Sequence, residues 1–83
     1  MNAPSGFALY RPRPIAVRAA AGRPRAVAGA AVEALREEWL VEDRWWTPDP
    51  LRRHYFELVL DGGRCLTIFR DLAGGHGGGW YRQ

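Results

Sequence analysis

The segment from His54 to Arg70 constrains this chain more than any other. Two alternating apolar runs, His54-Tyr-Phe-Glu-Leu-Val-Leu60 and Arg64-Cys-Leu-Thr-Ile-Phe-Arg70, flank Asp61-Gly62-Gly63. Glycine reaches positive φ at little cost, so the pattern predicts a β-hairpin. Loop length then decides which side chains share a face. A two-residue loop pairs odd with even positions and sets Glu57 beside Ile68. A three-residue loop closing Leu60 onto Arg64 instead groups Phe56, Leu58 and Leu60 with Leu66 and Ile68. Glu57 then faces Thr67 on the other side, with Tyr55, Val59, Cys65 and Phe69. The second register separates apolar from polar side chains better and puts Gly63 in the αL conformation.

The flanks are weaker. Residues 1–13 mix Pro4, Gly6 and Pro12 with arginines and show no periodicity, which predicts a disordered leader ahead of one small domain over residues 14–83. Ile15 and Val17 alternate with small or charged neighbours, Gly22-Arg23-Pro24 reads as a turn, and Ala26-Val27-Ala28 returns as a second strand. In Ala30–Val41, Val32, Leu35 and Trp39 follow a helical spacing with glutamates between them. A period-2 reading of the same residues puts Leu35, Trp39 and Val41 on one face, with Glu37 the exception. Thr47-Pro48-Asp49-Pro50 forms a stiff connector. The glycine-rich run Gly74–Gly79 reads as a loop tip before a short last strand at Trp80-Tyr81. The fold class expected is mainly β: a small antiparallel barrel or curled sheet of five to six strands.

Size sets the role of the aromatics. A chain of 83 residues hides only about 60% of its unfolded surface, so one core must stabilise it. Four Trp, three Tyr and three Phe suit that need, since each ring buries roughly 150–250 Å². The single cysteine, Cys65, permits no internal disulfide and favours a reducing cytoplasm. No apolar run approaches the roughly 20 residues of a membrane helix. The net charge of +3 comes from arginines with no lysine. Arginine suits bidentate contact with phosphate or carboxylate, but a codon bias that also enriches Ala, Gly and Pro is the favoured explanation.

Catalytic constellations are lacking. Glu37 and Glu38, like Glu42 and Asp43, are adjacent and point apart on a strand, so neither pair makes an acid/base couple. Cys65, His54 and His76 are too few and too scattered for a zinc set. A nucleophile needs a neighbouring base and an orienting group, and Ser5 and Cys65 have none. The glycine loop lacks the Lys-Ser/Thr pair of a phosphate cradle. The expectation is a protein that is not an enzyme and takes no cofactor or metal.

What remains is a set of arginines and aromatics: Arg44, Trp45, Trp46, Arg52, Arg53, His54, Tyr55, Arg70, Trp80, Tyr81 and Arg82. Small β barrels stack single-stranded bases on such rings, at about 1–3 kcal/mol per base. Trp and Arg are equally the residues enriched at protein–protein hot spots. In Trp45-Trp46, strand alternation buries one ring and exposes the other. The candidate contact residues are Arg44, Trp45, Trp46, Arg52, Arg53, Tyr55, Arg70, Trp80 and Arg82.

At these positions the chain resembles a known family. Trp39-x-Val-Glu-Asp-x-Trp45-Trp46, Arg53-His54-Tyr55, Asp61-Gly62, Leu66-x-Ile-Phe-Arg-Asp71 and the closing Trp80-Tyr81 are similar to the domain of unknown function DUF6504. That domain is similar to the tail of ImuB, the polymerase-like but catalytically inactive member of the bacterial mutasome, and also occurs as short free-standing actinobacterial proteins. The resemblance covers about half the chain; the Ala-rich first half matches poorly, and the glycine-rich insert is longer than usual. It pulls Ala30–Val41 from helix to strand. It implies a docking or accessory module of damage-tolerance DNA synthesis or repair, with mutasome or repair proteins as partners and no catalytic residues. The function expected is therefore a non-catalytic module that docks a protein through an Arg/Trp face; the alternative is a small β barrel that binds single-stranded nucleic acid. Open sheet edges leave dimerisation as a further option.

Overall fold

The computed structural model describes residues 12–43, 46, 48, 51–73 and 79–83. These form seven strands: β1 (Arg13–Pro14), β2 (Val17–Ala20), β3 (Arg23–Val27), β4 (Ala30–Asp43), β5 (Leu51–Leu60), β6 (Cys65–Asp71) and β7 (Trp80–Arg82). All pair antiparallel in one curled sheet of order β1-β7-β6-β5-β4-β3-β2. The mainly β, curled-sheet expectation holds, with seven strands in place of five to six. Arg13, expected in the leader, pairs with Arg82 and opens the sheet. Residues 1–11, and so nearly all of that leader, lie outside the described residues, as do most of the connector at 47–50 and the glycine run at 74–78.

The β5–β6 hairpin has the three-residue register. Phe56 faces Ile68, Leu58 faces Leu66 and Glu57 faces Thr67. The Leu60 N–H donates to the Arg64 carbonyl at 2.7 Å, and Gly63 sits at φ 85°. Phe56, Leu58, Leu60 and Ile68 are fully buried with Val27, and Ile15, Val17, Ala30, Val32, Leu66 and Trp80 pack around them. The core therefore lies inside the curl, where the β2–β3 hairpin and the β5–β6 hairpin meet. Burying one such side chain stabilises the fold by about 1.5–3 kcal/mol.

Both hairpins at the N-terminal end turn on Ala-Gly. Ala20 pairs with Arg23 across Ala21-Gly22, and Val27 pairs with Ala30 across Ala28-Gly29. Ala21 and Ala28 have φ of 53° and 49°, and the glycines after them 78° and 85°. Positive φ at both central residues gives the primed turn whose twist matches the flanking strands. The turn expected at Gly22-Arg23-Pro24 is thus one residue early, and Pro24 is a buried strand residue. Its missing N–H is accommodated because the β2–β3 ladder slips beside it, between Arg18 and Ala19.

β4 is a single strand of 14 residues, consistent with the pull toward strand and not with the helical spacing. Its pairing with β5 slips between Val32 and Ala34 and again between Leu35 and Glu37. Val32, Leu35 and Glu38 consequently oppose Leu60, Leu58 and Phe56. Three residues of β4 span what two span in β5, so one face recurs at i, i+3, i+6. Two bulges have written a helix-like period into a strand. They also separate Leu35 from Trp39 and Val41, which the uninterrupted period-2 reading had placed together. An extended run of this length measures roughly 43 Å, more than the longest molecular dimension of 37 Å, and bulges bend strands.

Candidate functional site

Strand alternation sends odd-numbered residues of β5 and β6 to the outside of the curl. There Trp39, Tyr55, Phe69 and Tyr81 lie directly opposite one another on β4, β5, β6 and β7. Pro14 of β1 continues the row beside Tyr81. Ring centroids are 5.3 Å apart for Trp39 and Tyr55, 5.0 Å for Tyr55 and Phe69, and 5.4 Å for Phe69 and Tyr81. The first pair is 5° from parallel and the last 20°. The middle pair is tilted by 38°, and rings at these spacings are offset or tilted, each partly covering its neighbour. Their faces are therefore partly covered by one another, with Trp39 still 38% exposed.

Arg53 lies over this row. Its guanidinium carbon is 4.3 Å from the Phe69 ring centroid, and its Nη1 donates to the Tyr55 hydroxyl at 3.2 Å. Its Nε is buried without a hydrogen-bond partner. Phe69 is 2% exposed although it sits on the outer face, because Arg53 and the flanking rings cover it. A shallow depression of about 190 Å³ opens beside them, lined by Pro12, Arg53, Phe69, Asp71 and Tyr81. On the other side of the row, Glu37 directly opposes Glu57. Like charges so placed repel.

The inner face carries a different set. Arg70 opposes Trp80, and its guanidinium carbon is 5.8 Å from the indole. Trp80 in turn packs 5.6 Å from Phe56. His54 stacks on Phe56 at 4.2 Å, and its Nε2 meets Glu38 Oε2 at 2.9 Å. Arg23 Nε donates to Glu38 Oε1 at 3.1 Å. The hydrogen bond from His54 first, then that from Arg23, holds the Glu38 carboxyl below its ordinary 4.5. This chain ties β3, β4 and β5 together at their rims. Exposed Arg52 pairs with Glu42, its cross-strand neighbour, at 2.9 Å.

The residues expected to share one Arg/Trp face thus divide. Arg53 and Tyr55 lie outside, Arg70 and Trp80 inside, and Arg82 on β7 opposite Arg13. Arg52 is engaged with Glu42, and Trp46 is 65% exposed beyond the end of β4. Arg44 and Trp45 lie outside the described residues. Sequence reasoning left out Trp39 and Phe69, which complete the outer row. Only the joint register of four strands aligns them.

Among the described residues, no group of three or more His, Cys, Asp or Glu side chains is placed to hold a metal ion. No helix among them is long and apolar enough to cross a membrane. No family model matches the chain, and no match was found among curated proteins or solved structures.

Proposed function

We propose that this chain is a non-catalytic interaction module that docks a protein partner on its outer aromatic face. The observation that carries this reading is the row Trp39–Tyr55–Phe69–Tyr81 with Arg53 lying across it. Aromatic rings and arginine are the side chains that anchor protein interfaces. These are held in place before binding, so little side-chain entropy remains to be lost. The rings partly cover one another, which leaves less ring face for stacked bases than for amide and side-chain contacts. The Glu37–Glu57 pair beside the row repels phosphate. The resemblance to DUF6504 supplies the setting, an accessory role in translesion synthesis or repair, by association alone.

The test is association of the purified chain with mutasome proteins, measured for native protein and for Tyr55→Ala and Trp39→Ala. The expected outcome is a complex weakened at least about tenfold by either change, with the fold intact. Undiminished binding by both variants removes the aromatic face.

A second reading, single-stranded nucleic-acid binding, draws on a different region. Arg13 and Arg82 are cross-strand neighbours, and Arg82 shares a depression with Arg64 beside Ile15 and Leu66. That cluster is basic and lies away from the carboxylates of β4. Affinity for single-stranded DNA that falls steeply with salt, with loss on Arg82→Ala, would put this reading first.

A further inference from the structure

We infer that the outer edge of β4, from Val32 to Glu42, binds an extended, basic peptide segment as an added strand. The inference rests on the reading of the chain as an interaction module and names a second surface and a partner chemistry for it. β5 pairs with β4 along its length, whereas β3 registers with it only at Ala30 and Ala31. Among the described residues no strand pairs with β4 beyond that point on its outer side. Every second residue of such an edge turns its N–H and C=O outward, which is a template for one more strand.

Apolar exposure is concentrated on the same strand. Leu35 and Trp39 are each 38% exposed and Leu40 53%. Apart from Trp46, three residues past the end of β4, these are the exposed large apolar side chains of the described residues. Leu40 shares a face with Glu38, and Trp39 presents the opposite face, so an added strand finds apolar contacts on both sides. Where β3 parts from β4, a cleft of about 150 Å³ lined by Arg23, Pro24 and Arg25 of β3 and by Val32, Glu33 and Leu35 of β4 bounds the open edge, and its arginines direct the basic side chains of such a segment toward the Glu37 end.

Charge chooses the occupant. Between Val32 and Glu42 the strand carries Glu33, Glu37, Glu38 and Glu42 against one Arg36, in a chain whose net charge is +3. Glu38 and Glu42 are engaged within the molecule. Glu37 instead opposes Glu57, and a Lys or Arg from a partner strand would relieve that repulsion while lying against the Trp39 and Tyr55 rings. Two copies pairing through this edge would set acidic strand against acidic strand, which is how natural edge strands are kept apart. The arrangement therefore fits a basic segment and disfavours self-pairing.

The experiment uses the full chain and three fluorescein-labelled peptides read by anisotropy. One alternates arginine with valine, one replaces every arginine by glutamate, and one is the basic peptide N-methylated at alternate residues. The basic peptide is expected to bind saturably, and the acidic and N-methylated peptides at least about tenfold more weakly. Glu37→Arg and Glu33→Arg, both at exposed positions, are expected to weaken the basic peptide while keeping a cooperative thermal transition, which Glu37→Arg should not lower because it sets a cation opposite Glu57. Equal binding of the N-methylated peptide would show charge attraction without strand addition and overturn the inference. So would equal binding of the acidic peptide, no binding at all, or a dimer in sedimentation that Glu37→Arg alters. Loss of peptide binding alongside an intact, Tyr55-dependent protein complex sinks this inference alone; loss of both sinks the module reading as well.

Discussion

Arg53 covers Phe69. Its guanidinium carbon rests 4.3 Å from the ring centroid, and this closes an outward-facing phenylalanine to 2% exposure. The same side chain donates to Tyr55, while its Nε is buried without a partner. A cation over an aromatic face contributes about 0.5–2 kcal/mol, depending on how far it is desolvated. Arg53→Met keeps much of the stem and removes the charge. Urea unfolding should show a loss of about 1 kcal/mol, with Tyr81 and Tyr55 becoming more accessible to iodination. An unchanged midpoint would mean that the guanidinium is only resting there.

The two Ala-Gly turns are sites of avoidable strain. Alanine in the left-handed region costs roughly 1–2 kcal/mol, whereas asparagine tolerates it. Ala28, at φ 49°, is exposed and precedes Gly29. Ala28→Asn creates the favoured Asn-Gly pair without touching the core. The variant should be more stable by about 0.5–1 kcal/mol, which for a domain of this size raises the melting temperature by roughly 2–8 °C. Calorimetry decides this directly.

Stability should fall in acid in a way that Glu38 partly accounts for. Its carboxyl is held below 4.5 by His54 and Arg23. A group whose folded value is depressed stabilises the fold above its unfolded value, and that contribution disappears as the pH drops through the folded value. The window therefore lies below about pH 4.5. Glu38→Gln keeps shape and removes the charge. The difference in urea midpoint between native and variant protein should be greatest near neutral pH and close as the pH falls through that window. A difference that stays constant with pH would rule out ionisation as its source.

Phe56 is the centre of the inner face, fully buried and in ring contact with His54 and Trp80. Phe56→Ala leaves a cavity and should cost about 3–5 kcal/mol, a large share of the stability of so small a domain. Loss of a cooperative thermal transition is the expected readout. Val59→Ala is the control, because Val59 lies on the other face and is only partly buried.

What could be read from the sequence was local. The β5–β6 register follows from three loop residues and the sorting of the side chains around them, and no distant strand is needed to settle it. β4 was obscure for a definite reason: its bulges make Val32, Leu35 and Glu38 recur every three residues, a spacing that a residue-by-residue reading assigns to a helix. The Ala-Gly turns were obscure because alanine carries no turn signature of its own. The candidate site was half legible. Arg53 and Tyr55 lie two apart on one strand, so their shared face follows from alternation. Whether Arg70 and Trp80 join them depends on the parity set by the β5–β6 and β6–β7 pairings together, and it places them on the opposite side. Trp39 joins the outer row past two residues inserted before it in β4.

That insertion bears on how chains of this architecture can vary. Length usually changes in loops, where an added residue alters nothing but the path between elements. Here two added residues were taken up in the middle of a strand, and the sheet on either side of them continued. Deleting one would remove a bulge and straighten β4, yet leave Trp39 opposite Tyr55 and Glu38 opposite Phe56, so everything beyond it would keep its side. Within this strand, residue count can change at the bulges without changing which chemistry the surface displays.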